Sequence, residues 1–233
     1  MPIGDIRYTV LQVVQEVFRK LGLTQPSSLS TNALSIQMVD FINDTCNDLS
    51  DFGNWQETFV SSNVTAVSGR SNYSVQTSAN IKNIGQIFFT QRTGPMLYVT
   101  VDEMRIMTRV TSVGQPTQFT VFGTDNNGNP NIRVRPTPST NEDGGLFSIT
   151  YYIRAPKYTT SDSAEVVPFP GTVVVLGTLA RALLNESGGS PTDHYTRVFQ
   201  EYLEARKEAL NRFNGDTGYE VNFMPSVVSR RRR

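Results

Sequence analysis

The sequence predicts an α+β fold: a helical bundle formed by both chain ends, an inserted antiparallel β domain, and an extended C-terminal arm. Three observations predict it. Apolar residues recur at helical spacing over residues 1–56 and again over 169–215, while residues 57–168 switch to alternation broken by clusters of Gly, Pro, Asn and Ser. Amphipathic helices at the two ends can bury their apolar stripes only against each other, so the β segment between them reads as an insertion. Beyond Gly215 no helical period remains, which leaves residues 216–233 as an arm.

The first helix carries Val10, Val13, Val14, Val17, Phe18 and Leu21 on one face and stops at Gly22. After Pro26 and a Ser-rich link, a second helix starts near Ser30 or Thr31. It runs through Leu34, Met38, Phe41, Ile42 and Leu49 and breaks at Gly53, just before Trp55. From Glu57 the period is two, with the clearest strands at 81–90, 96–101, 119–123, 131–135 and 147–154. Residues 102–109 fit either a strand continuation or one to two helical turns. Thr93-Gly94-Pro95, the stretch 125–130 and the stretch 141–145 are turn formers. Helical pattern returns after Pro170 with an apolar run from 173 to 184 that ends at Ser187-Gly188-Gly189. A last helix opens with Ser190, Pro191 and Asp193 as a partial capping box and carries Tyr195, Val198, Phe199, Tyr202, Ala209, Leu210 and Phe213.

Composition excludes several classes. The 233 residues carry 21 Lys and Arg against 21 Asp and Glu, so whole-chain attraction to nucleic acid or to an anionic membrane is not expected. The single cysteine, Cys46, rules out an internal disulfide and argues against a zinc cluster; its place in an apolar helical pattern reads as core. No export signal is expected, and the 173–184 run, interrupted by Gly177 and Arg181, is too short to span a bilayer. A soluble protein made in a cytoplasm follows.

Candidate chemistry is sparse, and neither an enzyme nor a cofactor or metal site is expected. His194, the only histidine, lies beside Asp193 and near Ser187 and Ser190, but a triad needs a nucleophile on an exposed strained turn and an oriented base, whereas these residues flank a helix start. Glu57, Asp102, Glu103, Glu142 and Asp143 are the acids from which a glycosidase pair would be drawn, and Glu142 and Asp143 sit in a Gly-rich loop. Asp40, Asp44, Asp48 and Asp51 fall at helical spacing and form a like-charge stripe. It reads either as a solvated face or as a contact with a neighbouring subunit or with a channel through which DNA slides. The arm combines Tyr219, Val221, Phe223, Met224, Val227 and Val228 with Arg230, Arg231, Arg232 and Arg233. Its readings are a solubilising end, a nucleic-acid contact and a docking arm, and apolar anchors with a basic rim suit docking best.

The order of these pieces resembles the adaptor, or head-to-tail connector, proteins of tailed bacteriophages, including the tail tubular adaptors. The residues that carry the resemblance are Ile42-Asn43-Asp44 with Leu49 leading to Trp55, the stretch 116–123, and Ile132-Arg133-Val134-Arg135-Pro136-Thr137-Pro138. They continue with the stretch 148–156 containing Tyr151-Tyr152, and Pro168-Phe169-Pro170. The likeness implies a structural virion protein, a homo-oligomeric ring of twelve copies at the head–tail junction. Its partners would be the portal protein and the next tail component, a nozzle or tail tube, with genomic DNA passing without sequence-specific binding during ejection. Portal docking would fall to the arm. The rival readings from other classes are a virion-associated cell-wall hydrolase and a β-rich module that binds a host glycan.

Overall fold

The computed structural model describes residues 7–76 and 80–216, without the side chains of 57 and 213–216. Among the described residues five α-helices and two sheets make an α+β protein: α1 (Val10–Lys20), α2 (Ala33–Phe52), β1 (Phe59–Thr65), β2 (Asn72–Ser74), β3 (Ile81–Phe89), β4 (Leu97–Tyr98), α3 (Val101–Met107), β5 (Gln118–Thr124), β6 (Pro130–Arg135), β7 (Leu146–Ile153), α4 (Gly171–Glu186) and α5 (Asp193–Asp216). The chain divides into two compact units, Met1–Gln56 with Lys157–Arg233, and Glu57–Pro156.

In the helical unit α4 packs against α1, α2 and α5. Its apolar residues point all round, with Val173, Val174, Val175, Leu179, Ala180 and Leu183 buried, so it has no face that tolerates water and must be covered on several sides. The ends of α1 are set locally. Thr9 and Gln12 form a capping box, Gln12 N donating to Thr9 Oγ1 at 3.2 Å and Thr9 N to Gln12 Oε1 at 2.9 Å. At the other end Gly22 takes φ 71° while Leu23 N donates to Phe18 O and Gly22 N to Arg19 O, a Schellman closure that β-carbon-bearing residues enter at a cost. Asn32, one or two residues later than the sequence pattern suggests, caps α2 by accepting from Ser35 N at 2.7 Å. Thr192 rather than Ser190 caps α5, accepting from Tyr195 N at 3.1 Å.

Two close approaches lock the unit. A β-carbon on Gly177 of α4 would stand 2.5 Å from Thr45 Cγ2 and 2.8 Å from Tyr202 Cε2, so α2 and α5 both close on the same point of α4. At Gly53 a β-carbon would stand 2.5 Å from Leu210 Cδ2. Trp55, fully buried, then donates its indole N–H to Leu49 O at 2.7 Å and sets its ring edge-on to Phe169 at 5.5 Å. The first contact satisfies a carbonyl in the last turn of α2; the second ties it to the lead-in of α4.

Residues 157–168, which the sequence pattern assigns to the β insertion, belong to this helical unit. Asn43 of α2 reads the backbone of Tyr158 twice, Nδ2 donating to its carbonyl at 2.9 Å and Oδ1 accepting from its N–H at 2.8 Å. Val10 N, at the entry of α1, donates to Glu165 O, and Val167 N donates to Tyr8 O. These backbone pairings have no periodicity, which is why alternation and helical spacing both miss them.

The second unit holds a three-stranded antiparallel sheet in the order β1-β7-β3 and a four-stranded sheet in the order β2-β6-β5-β4. The latter departs from an all-antiparallel plan because β4 runs parallel to β5, Leu97 opposite Gln118. The expected 96–101 strand is cut to two residues, since Thr100 and Glu103 form a capping box that starts α3. That helix supplies the crossover a parallel pair requires. The core draws Ile87, Phe89, Phe147, Ile149 and Tyr151 from one sheet and Tyr73, Phe119, Ile132 and Val134 from the other.

Two outcomes follow. Gly177→Ala gains helix propensity, about 0.5–1 kcal/mol, yet loses more through overpacking of Thr45 and Tyr202, about 1–3 kcal/mol, so urea denaturation should show net destabilisation. Burial pushes the Cys46 thiol up to about 12 from its ordinary 9.0, and burial likewise raises the Tyr158 and Tyr202 hydroxyls. A raised folded pKa means that the unfolded chain sheds these protons first, so the stability they carry is full below pH 9 and declines as pH climbs toward 12. Denaturation midpoints at pH 8 and pH 10.5 check this, and Cys46 should react with thiol reagents only upon unfolding.

Candidate interaction site

Of the residues from which a hydrolytic site would be assembled, Ser187, Glu103, Glu142 and Asp143 are engaged with local structure. His194 is exposed in the first turn of α5, and the Ser187 hydroxyl lies 2.9 Å from Leu184 O and 2.6 Å from Ser190 O, closing the α4 end. Glu142 accepts from Ser139 N at 2.9 Å and from the Ser139 hydroxyl, while Asp143 accepts from Ser68 N at 2.8 Å. Glu103 accepts from Thr100 N and Thr100 Oγ1; the backbone bond first, then the hydroxyl, holds its carboxyl below its ordinary value. A general acid needs a shift in the opposite direction. Asp102 is exposed on the same short helix, and the side chain of Glu57 lies outside the described residues.

Asp125 shows the same use of an acid. Its carboxylate accepts from Ser74 Oγ and from Asn127 N, Asn129 N and Asn129 Nδ2, knitting the β5–β6 turn to β2. Those donors, the Ser74 hydroxyl foremost, hold it down at about 2. Among the described residues no group of three His, Cys, Asp or Glu side chains is placed to hold a metal ion, and no helix is long and apolar enough to cross a membrane.

The acidic stripe on α2 separates into two kinds of residue. Asp40, Asp44 and Asp51 are exposed. Asp48 instead joins three helices: its Oδ2 accepts from the Tyr202 hydroxyl, lies 3.0 Å from Arg206 Nη1 of α5 and 3.9 Å from Arg181 Nη2 of α4. Arg181 also donates Nη1 to Thr45 Oγ1 and to Gly177 O, each at 3.1 Å, so the cation that interrupts the apolar run of α4 is satisfied at the α2 seam. Arg206 lies over Phe52, 4.1 Å from the ring centroid. Nothing in the spacing of one helix reveals its partners on two others, so sequence reasoning placed Asp48 with the outward-facing acids.

A second feature went unread in the sequence. Leu97, Tyr98, Val101, Ile106, Val110 and Val113 are all exposed, and Met104 is the one buried residue of α3. The arm residues Tyr219, Val221, Phe223, Val227, Val228, Arg230, Arg231, Arg232 and Arg233 lie outside the described residues.

Removing the Asp48 carboxylate leaves the buried Tyr202 hydroxyl without its acceptor and Arg206 without its ion pair, so Asp48→Ala should cost about 1–3 kcal/mol. Asp40→Ala and Asp44→Ala should stay within about 0.5 kcal/mol of the parent. Parallel urea melts of the three variants separate the structural carboxylate from the outward-facing ones.

No curated protein matches the chain. The family model for the SU10 adaptor protein matches residues 8–230, a span that covers nearly all of both compact units and most of the expected arm. The chain therefore belongs to the SU10 adaptor protein family, a family of structural bacteriophage adaptors and not of enzymes.

Proposed function

We propose that the chain is the subunit of an adaptor ring, twelve copies, that joins the capsid portal to the next tail component and continues the conduit for genomic DNA. The observation that carries this is the family match across residues 8–230, because it spans the helical unit and the β unit together. Charge supports the conduit role: residues 1–56 and 157–216 hold nine Lys and Arg against fourteen Asp and Glu. A net negative surface repels phosphates and lets DNA slide past without sticking. Asp40, Asp44 and Asp51 stand on that surface as subunit or channel contacts.

The arm is the portal anchor in this reading. Val221, Phe223, Val227 and Val228 supply apolar anchors and Arg230 to Arg233 a rim of charge-assisted donors. One arm binds weakly, and repetition around a ring multiplies the affinity. The particle site is the head–tail junction of the virion, after synthesis in the host bacterial cytoplasm.

Native mass spectrometry of the chain alone and mixed with its cognate portal tests the proposal. A ring that co-assembles with the portal is expected, and a chain that stays monomeric with it sinks the adaptor-ring reading. Truncation after Asp216, the last residue of α5, should abolish portal binding while circular dichroism stays unchanged. Stoichiometric binding by the truncated chain would remove the arm as anchor.

A further inference from the structure

Strands β1, β3, β2 and β4 form the edges of the two sheets, and three of the four are protected. Strands β2 and β4 are three and two residues long. Strand β3 has register shifts between Ile81 and Asn83 and between Ile84 and Ile87, and Met96 N donates to Ile87 O. Short length, bulges and local cover are the ordinary defences of an edge. Strand β1 has none of them. Its seven residues, Phe59–Thr65, pair with β7 in one unbroken register and include no Pro, Gly or charged residue.

Ala66 N donates to Gly145 O. By the alternation of an antiparallel ladder, Val60, Ser62 and Val64 then exchange bonds with β7, while Phe59, Ser61, Asn63 and Thr65 turn their N–H and C=O groups outward. Among the described residues no hydrogen bond reaches those outward groups. Val60 and Val64 pack against the β core yet stay half-buried, as does Ser62 between them, whose hydroxyl is buried with no hydrogen-bond partner.

The strand is complementary to itself. Laid antiparallel on a second β1 about Ser62, it sets Phe59 opposite Thr65 and Ser61 opposite Asn63, so that every outward residue meets an outward residue and the two exchange both bonds. On the core side Val60 then meets Val64 and Ser62 meets Ser62, in the ladder positions where facing side chains approach most closely, about 4.5 Å between Cα atoms. The half-covered valines gain an apolar neighbour and the Ser62 hydroxyl gains a partner. No charge in the strand opposes the approach.

We propose that β1 is a self-association edge, through which two copies of this chain join as an antiparallel pair centred on Ser62 and merge their β1-β7-β3 sheets into one. The contact is isologous and cannot repeat around a ring of one-way contacts, so it belongs to the free chain before a ring forms. It goes beyond the adaptor-ring reading and does not depend on it.

Sedimentation velocity of the full-length chain without portal should show a dimer. Ser61→Lys with Asn63→Lys should raise its dissociation constant at least about tenfold, since lysines then face one another across the seam. Ser61→Pro removes an outward donor and spares the β7 ladder, so it should weaken the dimer with no change of charge. Ser62→Cys should yield a disulfide-linked dimer under mild oxidation, because the facing Cα atoms stand within the span that a disulfide bridges. Thr65→Cys, far along the strand from its counterpart in this register, should not. Cys46, the only native cysteine, is buried and stays out of the reaction. Circular dichroism confirms folding of each variant, and should the edge variants melt early, the two cysteine variants decide.

A free chain found only as monomer or only as ring overturns the contact, as does a dimer that neither edge variant weakens and Ser62→Cys does not link. Loss of the dimer on truncation after Asp216, with no link through Ser62→Cys, assigns the association to the arm and overturns the self-pairing. The ring reading is decided separately, by co-assembly with the portal.

Discussion

Burial of α4 on several sides is the constraint on which the helical unit depends. A helix whose apolar residues run through Val173, Val174, Val175, Leu179, Ala180 and Leu183 has no face to give to water, so it must be met by α1, α2 and α5 at once. Two of those helices precede the β unit in the chain and one follows α4 itself. The bundle can close only if the two ends of the chain come together. Gly177 allows α2 and α5 to approach at the same level, where any β-carbon would collide with Thr45 and Tyr202. The polar seam built around Asp48, Arg181, Arg206 and Tyr202 sits at that level too, so the closest packing and the best-satisfied charges reinforce one register.

In the β unit, acidic side chains serve as fasteners for loops. Glu103 starts a helix, Asp125 holds a turn, Glu142 closes another and Asp143 bridges to Ser68. Each carboxylate accepts backbone or hydroxyl donors that water would otherwise satisfy, which stiffens the connections between short strands. The consequence is electrostatic as well as structural. Four acids of the β unit are thus engaged by donors of their own loops, while Asp40, Asp44 and Asp51 of α2 are exposed.

The chain belongs to a family of structural phage adaptors, and assembly is a matter of matching surfaces. Surfaces of opposite sign steer copies into register and disfavour wrong pairings more than they add raw affinity.

The pattern of residues alone determined the α+β class, the helices at both ends, most strand positions and the stops at Gly22 and Gly53, because periodicity and turn chemistry are local properties of the chain. It also carried the resemblance to phage adaptors, through the order of motifs from Ile42 to Pro170. Tertiary structure decided the rest. Residues 157–168 joined the helices because Asn43 and the Tyr8–Val10 backbone pair with them across more than a hundred residues of sequence. Strand β4 turned parallel because α3 carries the chain across. Asp48 became structural and Asp40 and Asp44 did not, since which member of a charged stripe finds a partner depends on the helices packed beside it, and a one-dimensional pattern holds no record of its neighbours.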